Sequence, residues 1–204
     1  GSKVWWSQYD VITKLLCVYE EHIVEQLGCF YSTSTVPFVD IGAADGYFAV
    51  GVAKLDWAEK VFAFEISSVA RSILEGNANK IDIQSEATLD NIADIIHTYP
   101  GVFVLVDIEG AEYDLFNHDL LKLLKHSTVI IELHPRKIKD GWLKQTKLLE
   151  EAAQFFKTEI LVRESYSPNI FKELSEFSDD DRLLALSEGR KASAQWLLLR
   201  PMSH

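Results

Sequence analysis

Six ionisable side chains of this sequence stand at or just beyond the ends of short apolar runs. They are Asp40, Glu65, Asp107, Glu109 and Glu132, with His134 two residues past the last. Carboxylates and an imidazole so placed can grip a ligand through its hydroxyl or amino groups, and they can move a proton. His134, in Ile130-Ile131-Glu132-Leu133-His134-Pro135, is the only histidine at the carboxyl end of such a run. Its ordinary pKa, about 6.5, suits a general base. It is the first candidate for that role, with Glu109 and Glu132 as catalytic carboxylates beside it. The plainer alternative is a histidine that caps its strand. Glu109 and Glu112 can likewise cap the helix that follows them, since acids there satisfy free amides and the helix dipole. That reading suits Glu112 better than Glu109. Asp107, Glu132 and His134 also form an oxygen-and-nitrogen set that a divalent cation could use, although nothing in the spacing demands a metal.

A second constellation is Asp40-Ile41-Gly42-Ala43-Ala44-Asp45-Gly46. Small residues between a strand and a helix let backbone N–H groups approach a ligand closely. The position two after Gly42 is Ala44, so the Gly-x-Gly-x-x-Gly dinucleotide fingerprint is absent. An acid beside a pyrophosphate is unfavourable, whereas Asp40 can hold a cationic amino group, directly or through water, of a zwitterionic sulfonium ligand. Glu65 closes the next apolar run and is placed to accept both ribose hydroxyls of an adenosine ligand. Glu86, after the third, can receive an adenine amino group or be a solvated loop acid. A tight strand-to-helix turn with no ligand is the simple reading of the loop alone; three acids after three successive strands are far more specific.

Elements of alternating type must position these residues. Apolar periodicity predicts one N-terminal helix over Tyr9 to Leu27. Strands are expected over Val36 to Ile41, Lys60 to Ile66, Ile81 to Gln84, Val102 to Asp107, Thr128 to Leu133, Glu159 to Val162 and Gln195 to Leu199. Helices are expected over Tyr47 to Leu55, Ser68 to Asn77, Leu89 to His97, Tyr113 to Leu124 and Trp142 to Phe156. Such alternation implies an α/β fold with a doubly wound, mostly parallel sheet. Ser165 to Lys191 is polar, with the run Asp179-Asp180-Asp181, and reads as an excursion with short helices before a last, antiparallel strand near one edge. The expected layout is one domain: residues 1–2 a cloning remnant, 3–35 helix and loop, 36–164 core, 165–204 excursion and last strand.

The chain has 204 residues, 48% hydrophobic and 25% charged, which excludes a disordered or collagen-like protein. Thirty-one acids against 20 basic residues give a net charge of −11, with no basic run. Nucleic acid and membrane are therefore not expected as partners. Cys17 and Cys29 have neither zinc-ligand nor redox spacing, and no eighteen-residue apolar stretch or signal pattern exists. A cytoplasmic protein is the expectation. Trp5, Trp6 and Tyr9 could cover a pocket but read more simply as packing, and Glu188, Arg190 and Trp196 as fixing the last strand. His22, His97, His118 and His126 are assigned surface or packing roles.

At these residues the chain resembles the class I S-adenosylmethionine-dependent methyltransferases, and among them the FkbM-like group. Val39 to Gly46 looks like their first motif and Phe64-Glu65 like the second. Thr88-Leu89-Asp90 is similar to the Thr-Leu-Asp before their fourth strand. Val106-Asp107-Ile108-Glu109-Gly110-Ala111-Glu112 looks like their Asp-x-Glu-Gly-Ala-Glu signature. The likeness runs from about Val36 to Pro135; the tail Asp181 to Arg190 with Gln195-Trp196 also looks like uncharacterised bacterial methyltransferase-like proteins. The stretch between Glu65 and Thr88 is shorter than typical for the group. The resemblance implies a Rossmann-like seven-stranded sheet, S-adenosyl-L-methionine as cofactor and methyl transfer, commonly to oxygen of a small molecule or sugar. The candidate cofactor contacts are then Asp40, Gly42, Ala43, Ala44, Gly46, Tyr47, Glu65, Ile66, Glu86, Ala87 and Asp107. Two alternatives stand beside it: a domain that binds the cofactor without catalysis, and an NAD-type oxidoreductase, which the missing Gly-x-Gly disfavours.

Overall fold

A computed structural model of the protein describes residues 11–16, 18–77, 80–162, 167, 171–187 and 194–202. Its strands are β1 (Phe38–Ile41), β2 (Val61–Phe64), β3 (Ile81–Gln84), β4 (Phe103–Val106), β5 (Thr128–Leu133), β6 (Phe156–Val162) and β7 (Gln195–Pro201). They form one sheet in the order β3-β2-β1-β4-β5-β7-β6. The first five run parallel, and β7 is antiparallel to both β5 and β6. The helices are α1 (Val11–Leu15), α2 (Glu21–Tyr31), α3 (Tyr47–Lys54), α4 (Ser68–Asn77), α5 (Leu89–Thr98), α6 (Glu112–Leu115), α7 (His118–Leu123), α8 (Gly141–Ala152) and α9 (Asp179–Ala185). None is long and apolar enough to cross a membrane among the described residues.

Helices on both faces explain why β1, β2 and β4 are buried at every position and read as continuous apolar runs. Side chains alternate between the faces. Val39, Ile41, Phe64, Val104, Val106 and Ile131 pack beneath α5, α7 and α8, while Phe38, Ala63, Phe103, Leu105 and Ile130 pack beneath α2, α3 and α4. Register then does the work of assembly. Ile41 lies opposite Phe64 on one side and Val106 on the other, and Val106 lies opposite Ile131. One step further along each chain, the same row contains Glu65, Gly42, Asp107 and Glu132. Neighbouring strands of a sheet are about 4.8 Å apart, so a single row brings three acids from distant sequence to one edge.

The seven strands, their mostly parallel pairing and the late antiparallel strand agree with the sequence expectation. Three details differ. The N-terminal helix is two helices, because the chain turns at Tyr19 and Glu20, the latter with φ 48°. The helix expected over Tyr113 to Leu124 breaks at Phe116, and Asn117 caps a fresh helix by accepting the Leu120 N–H at 3.1 Å. Phe156 is the first residue of β6 rather than the end of α8. β7 is antiparallel and lies near one edge as expected, between β5 and the edge strand β6. In the excursion, a 3-10 turn over Lys172–Leu174 and α9 are described. Trp5, Trp6, Tyr9, Glu188 and Arg190 lie outside the described residues.

At Gly42 the chain leaves β1 with φ +85°, and a Cβ there would sit 1.8 Å from the Asp107 carbonyl oxygen. Backbone cannot yield as a side-chain tip can. Gly42→Ala is therefore expected to lose at least ~3 kcal/mol of stability, through left-handed strain and a forced separation of β1 from β4. Urea unfolding checks this; a wild-type midpoint would refute the tight junction.

Candidate functional site

The glycine loop is held from three directions. Behind it, Asp40 is buried on the α3 face, and its Oδ2 accepts the Ala49 N–H at 3.1 Å. It thereby caps a helix whose own N-cap, Gly46, has no side chain to offer. Burial pushes the Asp40 carboxyl up to about 8, and the charges of Asp107, Glu65 and Asp45 push the same way, against the Ala49 hydrogen bond. Asp40 is thus turned toward α3, where it supports the loop.

From the β2 side, Glu65 brackets the loop. Its Oε2 accepts the Ala44 N–H at 2.8 Å and its Oε1 the Ser67 N–H at 2.7 Å. Arg71 Nη1 ties down the same turn through the carbonyls of Glu65 at 2.5 Å and Ile66 at 2.9 Å. The Ile66 side chain is left 81% exposed, an unusual state for isoleucine. Glu86 is exposed; its carbonyl accepts from Asn91, which forms a capping box with Thr88 at the start of α5, and Ala87 packs against the core.

The third support escaped sequence reading. Lys14 in α1 is buried and bonds both oxygens of Asp45, at 3.1 and 2.9 Å. Its ammonium also lies 5.0 Å from the centre of the Tyr19 ring and 5.5 Å from that of Tyr47. Tyr47, the first residue of α3, meets Tyr19 edge-on at 5.1 Å and approaches its carbonyl at 3.4 Å. A lysine on an amphipathic pattern reads as the solvated face, and nothing local in sequence links positions 14 and 45.

At the β4 and β5 ends, four carboxylates surround one imidazole. His134 Nε2 lies 3.5 Å from Glu109, 3.6 Å from Asp107 and 3.6 Å from Glu132. His134 itself is buried, as is Glu132, whereas the Glu109 side chain is 63% exposed and contacts Lys137. Asp107 Oδ1 is buried without a hydrogen-bond partner. Burial raises the Asp107 carboxyl above the usual range, opposed chiefly by the His134 charge and by a hydrogen bond with Glu132. The backbone here is strained: Glu109 sits at φ 59°, which costs a non-glycine residue about 1–2 kcal/mol. Glu112 completes the group. Fully buried, it accepts from Gly110 N–H at 2.7 Å and His134 N–H at 2.8 Å, and its Oε1 is 3.2 Å from His134 Nδ1. Its sequence reading as a helix cap is corrected: it stands at the start of α6 but bonds the β5 end.

Asp107, Glu109, Glu132 and His134 are thus together, with Asp107 in the same row as Gly42 and Glu65. Glu86 and Ala87 lie at the β3 end of that edge. Trp196, fully buried in β7, lies opposite Glu132, and His118 meets Phe155 edge-on as a packing residue. His22 is 3.7 Å from Glu20, beneath Trp196 rather than at the surface.

Two measurements test the supports. An Asp whose folded pKa is raised favours the protonated folded state, so its stabilisation is complete below about pH 4 and is lost as pH rises to about 8. Asp40→Asn removes that dependence. Its stability relative to wild type is expected to improve between pH 5 and 8 by up to ~1.4 kcal/mol per pH unit in urea titrations; parallel curves would refute a neutral Asp40. Lys14→Met takes the buried ammonium away from Asp45 and is expected to cost about 3 kcal/mol, part of which Lys14→Met with Asp45→Asn recovers. Equal loss in both variants would deny the pair its role.

No family model matches the sequence, and neither does any curated protein. Solved structures do match in shape. An O-methyltransferase from Bacillus cereus in complex with SAH aligns over 89% of this chain and 81% of its own, with TM-score 0.58 and 12% identity. Precorrin-6y C5,15-methyltransferase from Geobacter metallireducens aligns over 87% and 88%, with TM-score 0.54 and 14% identity. An rRNA methylase from Streptococcus thermophilus aligns over 91% and 98%, with TM-score 0.53 and 9% identity. The last overturns the exclusion of nucleic acid drawn from net charge: a methylase of RNA has this fold, and overall charge says little about the surface that meets an acceptor. The chain has the Rossmann-like fold of class I methyltransferases.

Proposed function

We propose that the chain is an S-adenosylmethionine-dependent methyltransferase of class I that methylates an acceptor hydroxyl. The observation that carries this reading is the single row Glu65, Gly42, Asp107 and Glu132, with His134 beside it. The residues fit the cofactor. Gly42 leaves the loop bare of side chain where β1 meets β4, and Ala43 and Ala44 keep it small. Glu65 accepts one N–H on each oxygen and keeps lone pairs for two ribose hydroxyls. Ile66 offers exposed apolar surface for an adenine face, and Glu86 a carboxylate for its amino group. When bound, S-adenosylmethionine supplies an electrophilic methyl group on a sulfonium.

What remains for the protein is to orient the acceptor and take its proton. His134 receives the hydroxyl proton as the oxygen gains the methyl, and Glu109 and Glu132 offset the charge that imidazole acquires. A sugar-like or small-molecule hydroxyl suits this chemistry; a ribose hydroxyl of RNA offers the same group and belongs in the acceptor screen. His134→Gln is expected to lower kcat by about 10²- to 10⁴-fold with cofactor affinity intact. Glu65→Gln is expected to weaken S-adenosylhomocysteine binding about tenfold or more, read by calorimetry. Undetectable S-adenosylhomocysteine binding to wild type would end the reading, and tight binding without transfer across a broad acceptor screen would favour the non-catalytic alternative.

A metal-assisted version has its own observation: ligand atoms of Asp107, Glu132 and His134 all lie within 4.8 Å of one another, and Asp107 Oδ1 has no hydrogen-bond partner. Bound there, a divalent cation would polarise the acceptor hydroxyl. In that case chelator abolishes activity, Mg²⁺ or Mn²⁺ restores it, and Mn²⁺ binding is measurable in the chelated protein. Unchanged activity after chelation removes this version.

A further inference from the structure

A neutral imidazole carries one N–H and one bare nitrogen, and the partner of the first decides which is which. At His134 the partners are unequal. Glu112 Oε1 stands 3.2 Å from Nδ1, while Glu109, Asp107 and Glu132 stand 3.5, 3.6 and 3.6 Å from Nε2. The latter three are beyond good hydrogen-bond length, so none competes strongly for a proton on Nε2. Glu112 is also the most firmly placed of the four carboxylates. It is fully buried, and backbone N–H groups of Gly110 and His134 clamp its two oxygens at 2.7 and 2.8 Å. With both oxygens already accepting, the remaining lone pair of Oε1 offers the ring an acceptor and not a donor. The left-handed turn at Glu109 and Gly110 brings the chain round to place it there.

We propose that Glu112 is a positioning residue that holds His134 in the Nδ1–H tautomer and keeps Nε2 as the bare, proton-accepting nitrogen on the rim formed by Asp107, Glu109 and Glu132. The catalytic consequence rests on the reading of His134 as base. As the acceptor O–H bond breaks and the oxygen–methyl bond forms, the proton moves to Nε2, and Glu112 faces the positive ring across Nδ1–H. A buried bracket that merely tied Gly110 to β5 would affect stability but leave the tautomer alone.

Histidine-selective ¹⁵N labelling and long-range ¹H–¹⁵N correlation read the tautomer directly, with the His134 signal assigned by its disappearance in His134→Gln. In wild-type protein at a pH where the ring is neutral, Nδ1 is expected to be the protonated nitrogen. Glu112→Gln keeps the shape but turns an amide NH₂ toward at least one of the three donors. It is expected to shift His134 toward Nε2–H and to lower kcat about 10- to 100-fold, with KM for the cofactor and S-adenosylhomocysteine affinity unchanged. A wild-type ring protonated at Nε2 overturns the proposal, as does a Glu112→Gln protein with wild-type tautomer and kcat. Should Glu112→Gln not fold, the wild-type spectrum still decides. A wild-type Nδ1–H spectrum alongside full activity of His134→Gln supports the hold of Glu112 on the ring and dismisses His134 as base, so the two readings fail separately.

Discussion

Backbone meets backbone where β1 ends, with the Asp107 carbonyl filling the space a side chain at position 42 would need. That contact lets β1 and β4 remain paired to their last residues, and pairing to the last residue sets the row beyond it. Glu65, Asp107 and Glu132 reach one edge because parallel register carries each strand to the same height before the chain turns off. Were the junction splayed, the acids would still follow their strands but would face different neighbours. The loop, the acidic row and the imidazole are therefore consequences of a steric condition on one residue.

Gathering so many carboxylates carries an electrostatic cost, which the molecule meets in different ways at the two ends of the edge. Beneath the glycine loop, Asp40 responds to burial by holding its proton, and Asp45 takes a lysine from a helix far away in sequence. At the β5 end the acids share one imidazole, with Lys137 on the exposed Glu109 and two backbone N–H groups on Glu112. One of the chain's left-handed non-glycine residues stands in the same place, since Glu109 is held in a conformation that a glycine would adopt more cheaply.

Much of this was legible in the residues. Short runs with an acid in or shortly after them announced the parallel strands, and β3, β5 and α4 fall on the expected residues. The glycine loop and the acids at the β2, β4 and β5 ends followed from their positions alone. What could not be read were contacts set by tertiary geometry. Lys14 and Asp45 meet only because α1 lies across the loop, and Glu112 looks like a helix cap until the turn before it is seen. Periodicity also ran through the break at Glu20, where a left-handed residue ends one helix and begins another while the apolar spacing continues. Charge misled most: a sum over the chain says nothing about which face meets a partner.

The position of β7 carries an implication for how the protein comes into being. Among the described residues β6 bonds no strand but β7, and β7 lies at residues 195–201. During synthesis β1 to β5 can pair as they emerge, but β6 must wait, unpartnered, for more than thirty residues of chain to follow it. Ile160 and Val162 are half-exposed even in the finished sheet. On the ribosome they form a sticky, open-edged segment, and nascent chains stalled in this interval are the ones most exposed to chaperone capture or aggregation.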